Sequence, residues 1–135
     1  MKDLNSILAE VAKSNMASDY WLNFDVREKE EHPLPRRTKI AKELYPECSD
    51  STIEIKSATY KNIESTLNNR LSEPNEAQSI LRSIIYKTSE TGNEYYQLNA
   101  PEDCHPTPAI FWNFWYLIIN RSKNIAIGLS CSACD

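Results

Sequence analysis

Apolar residues recur at the spacing of an amphipathic helix in three stretches of the chain. They predict helices over residues 3–14 and 58–71, and a third helix that begins at Pro74, since proline is favoured in a first helical turn. In the first of these helices, Asp3 stands where a capping residue would stand. A shorter helix is predicted over residues 38–45, because the next residue is a proline.

Runs rich in β-branched and aromatic residues predict the strands. Short strands are expected over residues 53–56 and 94–98, and two longer strands over residues 111–119 and 125–131. The segment NRSKN between the longer strands is a predicted five-residue turn, so these strands form a C-terminal hairpin. Residues 17–37 combine aromatic residues, a charge run and two prolines, and we interpret them as a loop or extended connector.

The pattern of the hairpin also predicts its register and its place in the sheet. If Ile119 pairs with Ile125, then Tyr116 lies over Gly128. Both faces of the strand over 111–119 are apolar, so this strand is expected at the centre of a sheet with helices covering it.

Length and composition agree with this picture. A chain of 135 residues has the size of one domain, and we predict a single α+β domain over residues 1–135. Its fold class is α+β, with an antiparallel sheet that contains a C-terminal hairpin and is covered by three or four helices. The chain has only two glycines, which excludes the glycine-rich loops that bind nucleotide phosphates.

Charge and hydropathy narrow the expected partners and location. The formal charge of −4 argues against a general nucleic-acid binder, which needs a basic surface. The longest apolar run is too short to cross a bilayer, and the N-terminus lacks the apolar core of a secretory signal. We therefore expect the protein in the nucleus and cytoplasm of a eukaryotic cell, or in the cytoplasm otherwise, with reduced cysteines.

Few side chains suit catalysis. His32 and His105 are the only histidines, and neither belongs to a known nucleophile motif. Cys104 adjoins His105, but sequence neighbours rarely present both side chains to one substrate. The sequence therefore predicts a protein that is not an enzyme and needs no cofactor.

Zinc binding is an alternative for the C-terminal cysteines. Cys131 and Cys134 have the spacing of a metal-binding pair, and the predicted hairpin would bring them towards Cys104 and His105. Residues three apart on an extended strand point to opposite faces, so this site requires a turn after Cys131. Ordinary buried thiols are the other interpretation.

Four cations lie within seven residues in the segment PRRTKIAK. Arg36, Arg37, Lys39 and Lys42 could contact an acidic partner or phosphate, and they are the predicted partner-binding residues. The alternative is a solvated basic face balanced by the preceding run REKEE. The helices over 38–45 and 58–71, with residues 86–98 as a wing, also have the outline of a helix-turn-helix, although the second helix carries few cations.

One segment resembles a known family. FWNFWYLIINRSKNIAIGLSC is similar to the C-terminal box of the Maf family of RNA polymerase III repressors, and EYYQLNAPED and the N-terminal ILAEVAKSNMASDY are similar to segments upstream of that box. The family's N-terminal box is absent from this chain. The matching residues are Asp19, Tyr20, Trp112, Phe114, Tyr116, Asn120, Arg121, Ser130 and Cys131.

The resemblance implies a non-enzymatic α+β repressor. Such a protein would bind the polymerase clamp and block recruitment to initiation factors, under phosphorylation control, for which Ser14, Ser18 and Thr38 are candidate sites. A different function is a small cytosolic inhibitor, such as an immunity protein that neutralises a toxin nuclease, because an acidic domain associates rapidly with a basic enzyme. Either function requires a protein partner.

Overall fold

The computed structural model describes residues 3–15, 21–48, 52–101, 104–108 and 111–134. Its elements are α1 (Leu4–Ser14), β1 (Trp21–Glu30), α2 (Arg37–Leu44), a short 3-10 helix (Pro46–Cys48), β2 (Glu54–Ala58), α3 (Tyr60–Arg70), α4 (Pro74–Lys87), β3 (Asn93–Asn99), β4 (Trp112–Asn120) and β5 (Ile125–Cys134). The strands form one antiparallel sheet in the order β1-β5-β4-β3-β2. The predicted α+β class, with its C-terminal hairpin and covering helices, is confirmed.

Side-chain caps explain where the helices begin. Asp3 caps α1, and its Oδ1 accepts a hydrogen bond from the backbone N–H of Ser6 at 2.9 Å. Thr59 caps α3 in a reciprocal capping box with Asn62. Pro74 occupies the first turn of α4, where its missing N–H has no intrahelical partner to lose.

Both faces of the sheet are covered, and each has its own apolar cluster. The face that we call the three-helix face packs against α1, α3 and α4. The opposite face, which we call the α2 face, packs against α2, the 3-10 helix and the segment at 104–108. Strand β4 lies at the centre of the strand order, as predicted, and its residues from Phe114 to Asn120 are all buried.

The predicted hairpin register was wrong by one residue. Ile119 pairs with Ala126, and Asn120 pairs with Ile125, so Leu117 lies opposite Gly128. The loop between the strands therefore has four residues, from Arg121 onwards. Asn124 closes this loop with a φ of 55°, a left-handed conformation that asparagine tolerates better than most residues.

The interpretation of residues 17–37 as a connector was wrong for β1. Trp21–Glu30 forms a regular ten-residue strand that pairs with β5. Apolar Leu22, Phe24 and Val26 alternate with polar residues, but the charges that follow obscured this period. An edge strand tolerates such charges because one side of it faces water. Residues 16–20, and with them Ser18, Asp19 and Tyr20, lie outside the described residues.

The helix-turn-helix interpretation was also wrong. α2 contributes Ile40 and Leu44 to the cluster on the α2 face, whereas α3 contributes Ile63 and Leu67 to the cluster on the three-helix face. The sheet separates the two helices, so they cannot enter one DNA groove together. Among the described residues, no helix is both long enough and apolar enough to span a membrane.

Tyr45 packs directly on Gly128 at the centre of the α2 face. A Cβ atom on Gly128 would lie 2.1 Å from the Tyr45 hydroxyl oxygen, so this position has no space for a larger residue. The Tyr45 ring also meets Trp115 edge to face, with the ring centroids 4.7 Å apart. The Tyr45 hydroxyl, the indole N–H of Trp115 and the Ser130 hydroxyl are buried without a hydrogen-bond partner among the described residues.

This contact makes a double-mutant cycle informative. Gly128→Ala should lower the free energy of unfolding in urea by about 1–3 kcal/mol, because the added methyl overpacks the site. Tyr45→Phe alone should be neutral or slightly stabilising, since it removes a buried hydroxyl that has no partner. Gly128→Ala should then cost clearly less in the Tyr45→Phe background. Simple addition of the two single effects would contradict the contact.

Candidate functional site

The four predicted partner-binding cations lie at the start of α2 or on α2 itself. Arg36 immediately precedes α2 in an extended conformation, and Arg37, Lys39 and Lys42 lie on α2 itself. All four are exposed. We call them the basic surface. Lys39 and Lys42 project into solvent because α2 turns its apolar side, at Ile40, Ala41 and Leu44, towards the sheet. Arg37 lies on the sheet side of α2, at the exposed N-terminal end of the helix.

The run REKEE does not neutralise the basic surface. Its Glu28 pairs with Lys87 on α4, and its Glu31 pairs with Lys29 at 3.0 Å. Within the described residues, Arg36 and Lys42 form no ion pair, so the local positive charge remains available to a partner.

Among the residues that the structure describes, Glu43 is the carboxylate that forms an ion pair with the basic surface. It lies 3.9 Å from the ammonium group of Lys39 but only 2.6 Å from that of Lys29. Its hydrogen bond with Lys29 lowers the pKa of the Glu43 carboxyl. Glu43 therefore belongs chiefly to Lys29 on β1, and it balances Lys39 only weakly.

A chain of contacts connects the basic surface to the sheet. The guanidinium carbon of Arg37 lies 5.3 Å from the ring centroid of Tyr96 on β3. The Tyr96 hydroxyl donates to Glu94 at 2.6 Å, and the Nε of Arg121 donates to the other oxygen of the same carboxylate at 2.9 Å. Burial raises the pKa of Tyr96, so its hydroxyl stays protonated as a donor.

Arg121 also fixes the backbone in front of α2. Its NH1 group donates to the carbonyl of Pro35 at 3.0 Å and to that of Leu34 at 3.4 Å. These carbonyls lie immediately before Arg36. Because one planar guanidinium holds both the carboxylate of Glu94 and this backbone, it sets where the basic surface begins.

Asn120 stabilises the turn that carries Arg121. Its Nδ2 donates to the Asn93 side chain at 2.9 Å and to the carbonyl of Thr91 at 3.2 Å. Its Oδ1 accepts from the backbone N–H of Lys123 at 3.0 Å. The adjacent asparagine and arginine of the C-terminal box therefore act together to hold the hairpin turn against β3 and the segment before α2.

The aromatic residues of the box form a row on the three-helix face. Trp112 stacks on Phe114 with the ring centroids 6.1 Å apart, and Phe114 lies 5.9 Å from Tyr116. The guanidinium of Arg70 lies 5.1 Å from the Trp112 ring, and the Tyr116 hydroxyl hydrogen-bonds to the Thr66 side chain at 2.7 Å. These rings join the sheet to α3 and are packing residues.

The four candidate zinc ligands are not brought together. Cys131 is buried in the cluster on the three-helix face, whereas Cys104 lies in the cluster on the α2 face. β5 continues to Cys134 without a turn, so the geometry that the zinc site required is absent from this strand. Residues 3–15, 21–48, 52–101, 104–108 and 111–134 contain no group of three or more potential metal ligands.

Cys104 and His105 do not form a catalytic pair. The Cys104 thiol donates to the carbonyl of Glu47, at 3.5 Å. The Nδ1 of His105 accepts from the backbone N–H of Thr107 at 3.0 Å, and its ring packs against Trp115 with the centroids 5.2 Å apart. Burial lowers the pKa of His105, which keeps the imidazole neutral within the core.

The two candidate modification sites that the structure describes, Ser14 and Thr38, are both exposed and differ in their contacts. The Ser14 hydroxyl donates to the buried Glu76 carboxylate, where it ties the end of α1 to α4. Thr38 is exposed in the first turn of α2, within the basic surface.

Comparison with known proteins gives matches in structure and none in sequence. No family model matches the chain, and no curated protein matches it. A crystal structure of citrus MAF1 in space group C 2 2 21 superposes with a TM-score of 0.65 at 12% identity, over 96% of this chain and 97% of that one. A second crystal form, P 31 2 1, gives a TM-score of 0.67 at 10% identity, over 95% and 98% of the two chains. The chain has the MAF1 fold.

The MAF1 fold confirms the structural part of the resemblance found in the sequence. The superposition extends from end to end, so it covers far more than the C-terminal box. The sequence indicated Arg121, the cations of the basic surface and the segment EYYQLNAPED that contains Glu94 and Tyr96, but it did not indicate that Glu94 and Tyr96 connect Arg121 to Arg37. Both stand in an ordinary strand pattern, and only the pairing of β3 with β4 brings them beside the turn.

The neutral state of His105 predicts a dependence of stability on pH. The unfolded chain takes up a proton near pH 6.5, whereas folded His105, with its lowered pKa, takes it up only at lower pH. The free energy of unfolding should therefore fall as the pH is lowered from about 6.5, by at most about 1.4 kcal/mol per pH unit. His105→Gln should remove this slope in denaturant titrations, and His32→Gln, at an exposed position, should retain it. Equal slopes in all three proteins would contradict the assignment.

Arg121→Met should loosen the start of α2 without unfolding the protein. It removes hydrogen bonds to two carbonyls, each worth about 1 kcal/mol, so the amide of Ile40 in the first turn should exchange at least about fivefold faster. The measurement is hydrogen exchange followed by NMR. Lys123→Met, in the same turn, is the control and should leave this exchange unchanged. Identical exchange in both variants would show that Arg121 does not fix the segment.

Proposed function

We propose that this protein is a non-enzymatic, protein-binding regulator that represses transcription by RNA polymerase III. The C-terminal box resembles that of the Maf repressors, and the chain has the MAF1 fold over almost its whole length. At 12% and 10% sequence identity, the superposition itself shows the fold alone. On this proposal it acts in the nucleus and cytoplasm of a eukaryotic cell, as one domain over residues 1–135. The comparisons do not favour the alternative of a toxin inhibitor.

The observation that carries the proposal is the way the box supports the basic surface. Arg121 holds the backbone of Leu34 and Pro35, and through Glu94 and Tyr96 it also supports Arg37. The polar groups of Arg121 in the C-terminal box therefore help to position the cations at the surface. A fixed array of cations on an acidic chain suits recognition of an acidic protein surface, because complementary charge steers association and sets orientation.

The proposed partner-binding residues are Arg36, Arg37, Lys39 and Lys42. Among them, Arg36 and Lys42 should contribute most, since the described part of the chain gives them no carboxylate. Arg37 is partly committed to Tyr96 and Lys39 weakly to Glu43, so these two should position the partner more than attract it.

The direct test is polymerase binding by a neutralised variant. Replacing all four cations of the basic surface with glutamine should weaken capture of RNA polymerase III subunits from a eukaryotic nuclear extract at least about tenfold. Repression of a tRNA-gene template in the same extract should weaken in parallel. Binding of the unmodified protein should decline as salt is raised, because charge steers it.

The matched control removes four exposed cations elsewhere. Lys56, Lys61, Arg82 and Lys123 are exposed, and their replacement with glutamine changes the net charge by the same amount. This control should bind and repress as the unmodified protein does. Equal losses of polymerase binding in both variants would show that net charge, and not the basic surface, determines binding. Failure of the unmodified protein to capture any polymerase subunit would refute the proposal.

A further inference from the structure

Strand β1 forms one edge of the sheet. It is the first strand in the sheet order, and among the described residues no strand lies beyond it. Its pairing with β5 runs one to one from Trp21–Cys134 to Glu30–Ile125, so no bulge interrupts it, and it contains no proline. Bulges and prolines are common devices that prevent another strand from joining an edge, and β1 has neither.

The alternation of hydrogen bonds shows which backbone groups of β1 face outward. The N–H of Glu31 donates to the carbonyl of Asn124 at 3.3 Å, in continuation of the β1–β5 register. Residues that bond to the neighbouring strand alternate with residues that do not. The odd-numbered positions therefore bond to β5, and Leu22, Phe24 and Val26 direct their N–H and C=O groups away from the sheet.

The side chains of the same three residues line a groove. Its volume is about 300 Å³, at the lower end of the range of about 300–1,000 Å³ typical of ligand sites. α1 forms its other wall, where Ala9 and Ala12 leave room for the side chains of an added strand. The groove is lined by Asn5, Leu8, Ala9, Ala12, Leu22, Asn23, Phe24 and Val26.

The charges of β1 indicate what such a strand should carry. The cations Arg27 and Lys29 lie outside the half of β1 that lines the groove, so their charges do not block pairing of another strand there. Asp25, on the opposite face from the groove, shares the guanidinium of Arg27 with Glu47. The distances from Arg27 are 2.9 Å to Asp25 and 2.6 Å to Glu47, so two carboxylates surround one cation. A lysine or arginine beside Asp25 would balance the excess negative charge.

We propose that β1 binds an extended segment of a partner protein, in which apolar residues alternate with lysine or arginine. The segment pairs with the outward-facing groups of Leu22, Phe24 and Val26 as a sixth strand. Its apolar side chains enter the groove beside Ala9 and Ala12, and its basic side chains lie on the side of Asp25. This surface is distinct from the basic surface and takes a partner of the opposite charge.

The test is an NMR titration of the isotopically labelled full chain with an acetylated, amidated Lys-Val-Lys-Val-Lys-Val-Lys peptide. Saturable shifts should appear at the amides of Leu22, Phe24 and Val26. Ala9→Trp fills the groove from an exposed helical position and should weaken binding at least tenfold. The matched control is Ser65→Trp, at an exposed position on α3, which should bind as the unmodified protein does.

Two further peptides and one measurement without peptide complete the test. The same peptide methylated on alternate backbone nitrogens should lose binding, and the version with glutamate in place of lysine should bind at least tenfold more weakly. The proposal is overturned by shifts confined to other residues, by unchanged binding in Ala9→Trp, or by equal binding of the glutamate peptide. It is also overturned if the protein alone forms a dimer that Ala9→Trp abolishes, because the occupant would then be a second copy.

Discussion

Strand β4 buries large side chains on both of its faces. Phe114 and Tyr116 point towards the three-helix face, whereas Trp115 and Leu117 point towards the α2 face. Each such side chain loses about 1.5–3 kcal/mol of stabilisation if it stays in water, so neither face can be left open. α1, α3 and α4 cover one side. On the other side, the described residues provide one short α-helix, α2, and the 3-10 helix and the segment at 104–108 complete the cover.

Few elements cover the α2 face, so the residue that follows α2 must pack directly on β5, and a small residue of β5 makes this possible. Gly128 leaves the space that Tyr45 fills, and Tyr45 in turn packs against Trp115. Arg27 closes the edge of this cluster, with its guanidinium carbon 4.6 Å from the Tyr45 ring centroid. A large side chain on β5 would displace the tyrosine and separate α2 from the sheet. The position of α2, and with it that of the basic surface, therefore depends on the absence of a side chain at one residue.

Local patterns in the sequence predicted most of the elements, and they failed where the information is not local. α1 and α4 carry their own start signals, and the apolar faces of β4 placed it at the centre. The hairpin register was wrong because pairing Ile119 with Ile125 and pairing it with Ala126 are both apolar matches. The choice depends on Asn124, which adopts a positive φ. β1 was missed because its charges resemble those of a loop, and only its pairing with β5 distinguishes the two.

In the candidate site too, the sequence indicated the residues but not the contact that connects them. A cluster of cations such as Arg36 and Arg37 is visible in any sequence, and so is the box that contains Arg121. Their connection is not visible, because it joins residues that are 86 apart in the chain through the carbonyl of Pro35. A hydrogen bond to a backbone carbonyl needs no particular residue type on the accepting side. No pattern of side chains could therefore have revealed it.

Strand β1 contacts both proposed surfaces, one on each face of the sheet. Phe24 and Val26 line the groove beside α1, whereas Arg27 reaches the other side and donates to the carbonyl of Leu44, at the end of α2, at 2.9 Å. The same guanidinium holds Glu47 in the 3-10 helix through two hydrogen bonds. A strand added to β1 would restrain the residue that anchors the C-terminal end of α2, while Arg121 restrains the N-terminal end. The basic surface lies between these two arginines, of which Arg27 lies on the edge strand β1 and Arg121 directly follows the central strand β4.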